Sequence, residues 1–218
     1  MSDFLDPSFT SLKICGVTRA DDAVRLIDLG VHALGINFWS QSKRYLAPDQ
    51  AEPILQLCDE KIVRVGVFVN AEPELPKRLL ELGLIDFAQF HGDETPEYCA
   101  HFADIRLPFI KAIGVNDKTS LERITHYRSN AILLDTPAPG VYGGTGETFD
   151  WSHAESFIKS HPDIPVLLAG GITPENASNA TNQVHPAALD IASGAELSPG
   201  VKDFDKVRAL LNSLTPLS

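Results

Sequence analysis

Cys15 lies in KICGVTRADDA, residues 13–23, where an apolar run meets a glycine, and Lys13 stands two residues before it. Side chains alternate along an extended strand, so Lys13 and Cys15 share one face and Leu12 and Ile14 the other. If the apolar pair faces helices, the ammonium and the thiol point inward, about 7 Å apart by the rise per residue. A nearby cation favours the thiolate, whose ordinary pKa is about 8.5, and Cys15 then has the chemistry of a base. A free cysteine is more usually a small buried filler, and both readings stand for Cys15. Cys58 and Cys99, inside helical segments, read as filler.

A matching acid closes AILLD, residues 131–135. Alternation sets Asp135 on the face of Leu133 and Ala131, where burial would raise its pKa. A partly protonated carboxyl opposite a thiolate is the separated acid and base that proton transfer requires; the plain alternative is a loop-capping aspartate. Arg44, in SQSKRYL, carries the planar fork suited to a carboxylate, although most Lys-Arg pairs sit on exposed loops. Tyr45 beside it suits packing on an aromatic ligand or anchoring the loop. His91, in QFHGDE, reads equally as a hydrogen-bonded structural residue and as a ligand contact.

Three glycine clusters remain: YGGTGETFDW, LAGGITPEN and the smaller ASGAE. None is a Walker sequence. Glycine permits close approach of a phosphate to backbone N–H groups, and a helix N-terminus adds positive potential; ordinary turn glycine is the alternative.

These residues need elements to hold them. Short β-type runs, each followed by a turn signal and a helical spacing, recur at 11–15, 33–37, 62–69, 86–90, 108–113, 131–135, 165–169 and 188–192. Thr18 is the expected N-cap of a helix over 19–29, and Thr173 followed by Pro174 is a cap with proline at the first helical position. Spacing predicts further helices near 48–58, 74–82, 96–103, 119–128, 152–159 and 204–212. Eight βα units without a linker match a single α/β domain, a (β/α)8 TIM barrel over 1–218 with a short N-terminal extension of about ten residues. A doubly wound sheet is the runner-up. In a barrel the C-terminal strand ends form the active site, and the loops after strands seven and eight often hold phosphate. Cys15, Asp135, His91, the Arg44 loop and the glycine clusters all fall at that mouth.

The chain has 218 residues, 44% of them hydrophobic and 22% charged, with a net charge of -11. That suits a soluble globular domain and opposes nucleic acid or an acidic membrane surface as partner, so a phosphate site must be local. No apolar run reaches the roughly 18 residues of a membrane span, and the N-terminus resembles neither a secretory signal nor a transit peptide. Three scattered cysteines without a CxxC pair suggest a reducing, cytoplasmic setting and no zinc site.

KICG, SKRY, RVGVFVN, QFHGDE, LLDT, GGTGETFDW, LAGGITPENA and SGAELSPGVKD follow one another in an order that resembles the phosphoribosylanthranilate isomerase family. The resemblance covers nearly the whole chain. It implies an Amadori rearrangement of N-(5-phosphoribosyl)anthranilate to the 1-deoxyribulose 5-phosphate product, in tryptophan biosynthesis, with no metal, organic cofactor or obligatory protein partner. It also implies roles: Asp135 as general acid, Cys15 as general base, Arg44 on the anthranilate carboxylate, and Gly170, Gly171, Ser193 and Gly194 on the phosphate. Lys13, His91 and Gly144 complete the expected substrate-binding set. Two positions depart from the family pattern, Ala192 where serine is common and Ala195 where valine is. A metal-dependent epimerase or an indole-glycerol-phosphate synthase lacks support in these runs. A barrel that only senses a sugar phosphate is opposed by the intact Cys15 and Asp135, and activity on the related histidine-pathway substrate by the cysteine on the first strand.

Overall fold

The computed structural model describes residues 4–122, 124–137 and 148–214. Eight parallel strands close into a barrel: β1 (Ser11–Cys15), β2 (Ala33–Asn37), β3 (Val63–Phe68), β4 (Phe87–Phe90), β5 (Phe109–Gly114), β6 (Ala131–Asp135), β7 (Val166–Leu168) and β8 (Ala188–Ile191). Each pairs with its sequence neighbours and β8 returns to β1, so every backbone edge is satisfied by closure. The helices α1 (Ala20–Asp28), α2 (Pro48–Leu57), α3 (Glu74–Glu81), α4 (Pro96–Asp104), α5 (Trp151–Ser160), α6 (Ala177–Val184) and α7 (Phe204–Leu214) lie between and after the strands. This is the (β/α)8 TIM barrel that the eight-fold pattern predicts.

The alternation along the strands separates two apolar clusters. Leu12 and Ile14 join Leu34, Ile36, Leu134 and Leu168 in the layer between barrel and helices. Ala33, Val65, Ala112, Leu133, Leu167 and Ala188 fill the barrel itself, with Phe4 packed on Phe87 at its N-terminal end. The inward positions are mostly small, which leaves room for Lys13 and Gln89 to be wholly buried inside.

Three expectations are corrected. Helix α1 has Arg19 at its N-cap, and Thr18 Oγ1 instead donates to the Gly200 carbonyl at 2.8 Å, tying the loop after β1 to the turn at residues 199–200. Helix α6 begins at Ala177, because Asn176 accepts from Thr173 N and donates to Gly171 O, folding 173–176 into a turn rather than a first helical turn. The helix expected over 119–128 is replaced by 3-10 turns at Lys118–Leu121 and Ile124–Tyr127, the first closed by Asp117 as a capping box. A small antiparallel hairpin, β9 (Glu196–Ser198) with β10 (Val201–Lys202), follows β8 and had no signal in the periodicity.

Candidate active site

The C-terminal ends of the strands surround a cavity of about 410 Å³. Its wall includes Cys15 from β1, Arg44 from the loop after β2, His91 after β4, Asp135 from β6, Gly170 and Gly171 after β7, and Ser193 and Gly194 after β8. Strand topology therefore gathers eight of the ten expected site residues. Lys13 is not on this wall. Gly144 lies outside the described residues.

Lys13 lies one layer below Cys15, fully buried, with Nζ donating to Asp190 Oδ1 at 2.7 Å. Register explains the meeting, since Lys13 pairs directly with Asp190 across β1 and β8. Burial opposes the ammonium's charge, but Asp190 and then the Cys15 sulfur more than offset it, so the Lys13 pKa stands above its ordinary value. Cys15 behaves otherwise. Burial pushes its thiol up, Lys13 and Lys202 pull it down, Asp190 pushes it up again, and the net direction is upward. Lys13 does pull toward the thiolate, as the sequence leads one to expect, but desolvation of the sulfur, with Asp190 beside it, outweighs that pull.

Space for this thiol comes from Gly35, its register partner on β2. A Cβ on Gly35 would stand 2.9 Å from Cys15 Sγ and 3.2 Å from Lys13 Nζ. Asp135 accepts from Thr136 N at 2.8 Å and meets His91 Nε2 at 3.1 Å, while His91 Nδ1 is 2.8 Å from Gln89 Nε2. With the Gln89 amide so placed it donates to Nδ1, leaving Nε2 to carry the proton toward the carboxylate. His91 therefore faces the acid as well as the cavity. Its loop is pinned by the buried Lys111, which donates to Phe90 O, Gly92 O and Glu94 Oε2.

Arg44 is held rather than loose. Its Nε and Nη2 reach both oxygens of Glu196 at 2.6–3.0 Å, and this pairing raises the guanidinium pKa further. Tyr45 is absent from the cavity wall and stays 39% exposed, so the anchoring alternative fits it better, through its bridge to Asn37. Trp39 supplies an aromatic side chain on the wall instead.

The glycine loops face the cavity with positive φ at Gly170 (+81°) and Gly171 (+62°), a conformation that side chains oppose. A Cβ at Gly194 would meet the Ile172 carbonyl oxygen at 2.0 Å, so the β7 and β8 loops touch only because it has none. The N–H groups of Gly170, Gly171, Ser193 and Gly194 donate no hydrogen bond to another described residue. Four unspent donors on one rim suit an anion with several oxygens. Among the described residues no group of three or more His, Cys, Asp or Glu is placed to hold a metal ion, and no helix is long and apolar enough to cross a membrane.

Sequence reasoning missed Gly35, Gln89, Asp190, Glu196 and Lys202. Asp190 had the same signal as Asp135, a carboxylate on the inward face of a strand. Gln89 touches His91 only two residues on, whereas Gly35, Glu196 and Lys202 take their meaning from Cys15 and Arg44, distant in sequence.

The family model of N-(5'-phosphoribosyl)anthranilate isomerase matches residues 12–213. An N-(5'-phosphoribosyl)anthranilate isomerase of Trichlorobacter lovleyi is 40% identical over 203 residues, covering 93% of this chain and 96% of its own. The crystal structure of phosphoribosyl anthranilate isomerase from Thermus thermophilus superimposes with a TM-score of 0.82 at 37% identity, over 96% of this chain and all of the other. Another phosphoribosyl anthranilate isomerase, solved in complex with reduced 1-(o-carboxyphenylamino)-1-deoxyribulose 5-phosphate, superimposes at 0.80 with 35% identity, over 94% and 98% of the two chains.

Proposed function

The chain belongs to the N-(5'-phosphoribosyl)anthranilate isomerase family, and from that membership we propose that Cys15 and Asp135 carry its reaction as base and acid. The enzyme is an isomerase of this type, in tryptophan biosynthesis. Its substrate is phosphoribosylanthranilate, and the reaction needs neither metal nor organic cofactor. Few and scattered cysteines fit work in the cytoplasm.

The rearrangement runs in proton steps that balance within the site. Asp135 gives its proton to the furanose ring oxygen, the bond from that oxygen to the first sugar carbon breaks, and the anthranilate nitrogen's lone pair forms the Schiff base. Cys15, as thiolate, takes the proton from the second carbon. Those electrons form the carbon–carbon double bond and neutralise the nitrogen, and the resulting enolamine tautomerises to the ketose. Thr136 N, and His91 Nε2 in the tautomer favoured by Gln89, would stabilise the Asp135 carboxylate once its proton is gone. The phosphate rests on the N–H groups of Gly170, Gly171, Ser193 and Gly194, and Arg44 meets the anthranilate carboxylate with the N–H groups that Glu196 leaves free.

One observation carries this reading: a thiol and a carboxyl from separate strands face one cavity, whose wall also holds an arginine and backbone N–H groups that have no partner among the described residues. The test is to add pure, metal-stripped protein to freshly made fluorescent phosphoribosylanthranilate and follow the signal. Loss of fluorescence at a rate proportional to enzyme is expected, and binding without turnover would overturn the proposal in favour of a sugar-phosphate sensor.

A further inference from the structure

We propose that Glu196, backed by Lys202, is a positioning residue that aims Arg44 at the substrate carboxylate and ties that recognition to the backbone of Cys15. The proposal rests on the reading of Arg44 given under Proposed function. Neither Glu196 nor Lys202 lines the cavity, so both act through other residues. The Glu196 side chain is only 3% exposed, and its two oxygens are spent on Arg44 Nε and Nη2, on Lys202 Nζ at 2.7 Å and on Gly200 N at 3.1 Å.

Geometry limits what Arg44 can still do. A guanidinium has five N–H groups, and Glu196 engages those of Nε and one of Nη2, which leaves the edge formed by Nη1 and the rest of Nη2. That edge is the two-pronged one that matches a carboxylate. Rotation about the end of the side chain is prevented, because the partner accepts at two points. The stem is confined too: a Cβ on Gly16 would meet Arg44 Cδ at 2.3 Å, so the arginine crosses directly over the residue after Cys15.

Charge counts in the same direction. Glu196 alone would cancel Arg44 and remove the attraction for an anionic ligand. Lys202, itself fully buried, restores one net positive charge to the trio. Its Nζ also donates to the Cys15 carbonyl oxygen at 2.6 Å, so one lysine holds both the arginine's partner and the end of β1. The β9–β10 hairpin that supplies Glu196 and Lys202 starts directly after the Ser193–Ala195 turn, and so links the carboxylate, phosphate and base regions of the cavity.

The experiment compares two ligands, the reduced carboxyphenylamino product analogue and its counterpart with an unsubstituted phenyl ring, by their dissociation constants. Wild type should prefer the carboxylated ligand, and Arg44→Ala should abolish that preference. Glu196→Gln should cut the preference by about ten-fold, as expected for a charged hydrogen bond that is no longer aimed. Binding of the unsubstituted ligand should stay within about two-fold, and kcat should change less than KM. Glu196→Gln added to Arg44→Ala should reduce carboxylate preference no further, since the group it positions has gone. Because Glu196→Gln strands Lys202 as a buried charge, Glu196→Gln/Lys202→Met, which removes both charges, carries the same expectation for the carboxylate preference if the single variant fails to fold. A preference kept by either folded variant overturns the proposal, as does equal weakening of both ligands, which marks a merely structural role. If Arg44→Ala itself keeps the preference, the carboxylate assignment falls as well, which separates that failure from failure of the positioning role alone.

Discussion

At Cys15 two neighbouring cations do not make a thiolate, because the sulfur is desolvated and Lys13 is neutralised by Asp190. The net push on the thiol is upward, so the thiolate fraction is expected to grow with pH, about ten-fold per pH unit below its pKa. The kcat/KM profile of the free enzyme should climb through pH 8 with its limb above the ordinary thiol value of about 8.5. Lys202→Met should move the limb higher, since Lys202 pulls the thiol down. A limb well below pH 8 would show that charge outweighs burial after all. Replacement of either proposed proton carrier, Cys15→Ala or Asp135→Asn, should lower turnover by about 10²- to 10⁴-fold. Affinity for inorganic phosphate should persist in both, as the glycine loops are untouched; wild-type turnover in either variant would remove that residue from its role.

Among the elements, the loops after β7 and β8 owe their contact to absent side chains. Gly194→Ala must displace the Ile172 carbonyl, a backbone group with little freedom to yield, because its Cβ would arrive at 2.0 Å. The expected outcome is a loss of phosphate affinity of about ten-fold or more by titration, with the thermal midpoint lowered as the β8 loop moves. Unchanged phosphate binding would place the anion elsewhere. The loop after β4 depends instead on a buried ion pair, in which Glu94 receives Lys111 Nζ and the N–H groups of Asn70 and Gly92. Glu94→Ala leaves Lys111 buried and uncompensated, which typically costs about 3–5 kcal/mol. Denaturant unfolding should read that loss directly.

The whole molecule carries two more buried thiols that the reaction does not use. Burial, against weaker pulls from Arg64 and Lys61, pushes Cys58 up to about 11, and burial likewise pushes Cys99 up to about 12. Both bind a proton more tightly folded than unfolded, so their contribution is complete below about pH 8.5 and is lost as pH rises through those values. The thermal midpoint should fall between pH 9 and 11, and less steeply in Cys58→Ala/Cys99→Ala. An equal slope in the variant would assign the alkaline loss to other groups. EDTA should leave turnover unchanged, and activity lost to chelation and restored by one metal would point to epimerase-like chemistry.

The amino-acid sequence alone determined the eight strands, the face on which Cys15 and Asp135 stand, and the end of the barrel where the candidate site residues gather. Those properties follow from alternation and from short apolar runs, which are local and survive without knowledge of neighbours. Helix starts were less legible: Thr18 and Asn176 spend their polar groups on Gly200 and on the Thr173 turn, choices made by the surrounding fold rather than by residue type. Only the tertiary structure decided which charges meet. Lys13 finds Asp190 across 177 residues of sequence and Arg44 finds Glu196 across 152, because barrel closure sets β8 and its hairpin beside β1. The state of Cys15 was decided there as well, since a pKa is a balance of burial against every charge nearby, and that balance exists only once the chain has closed on itself.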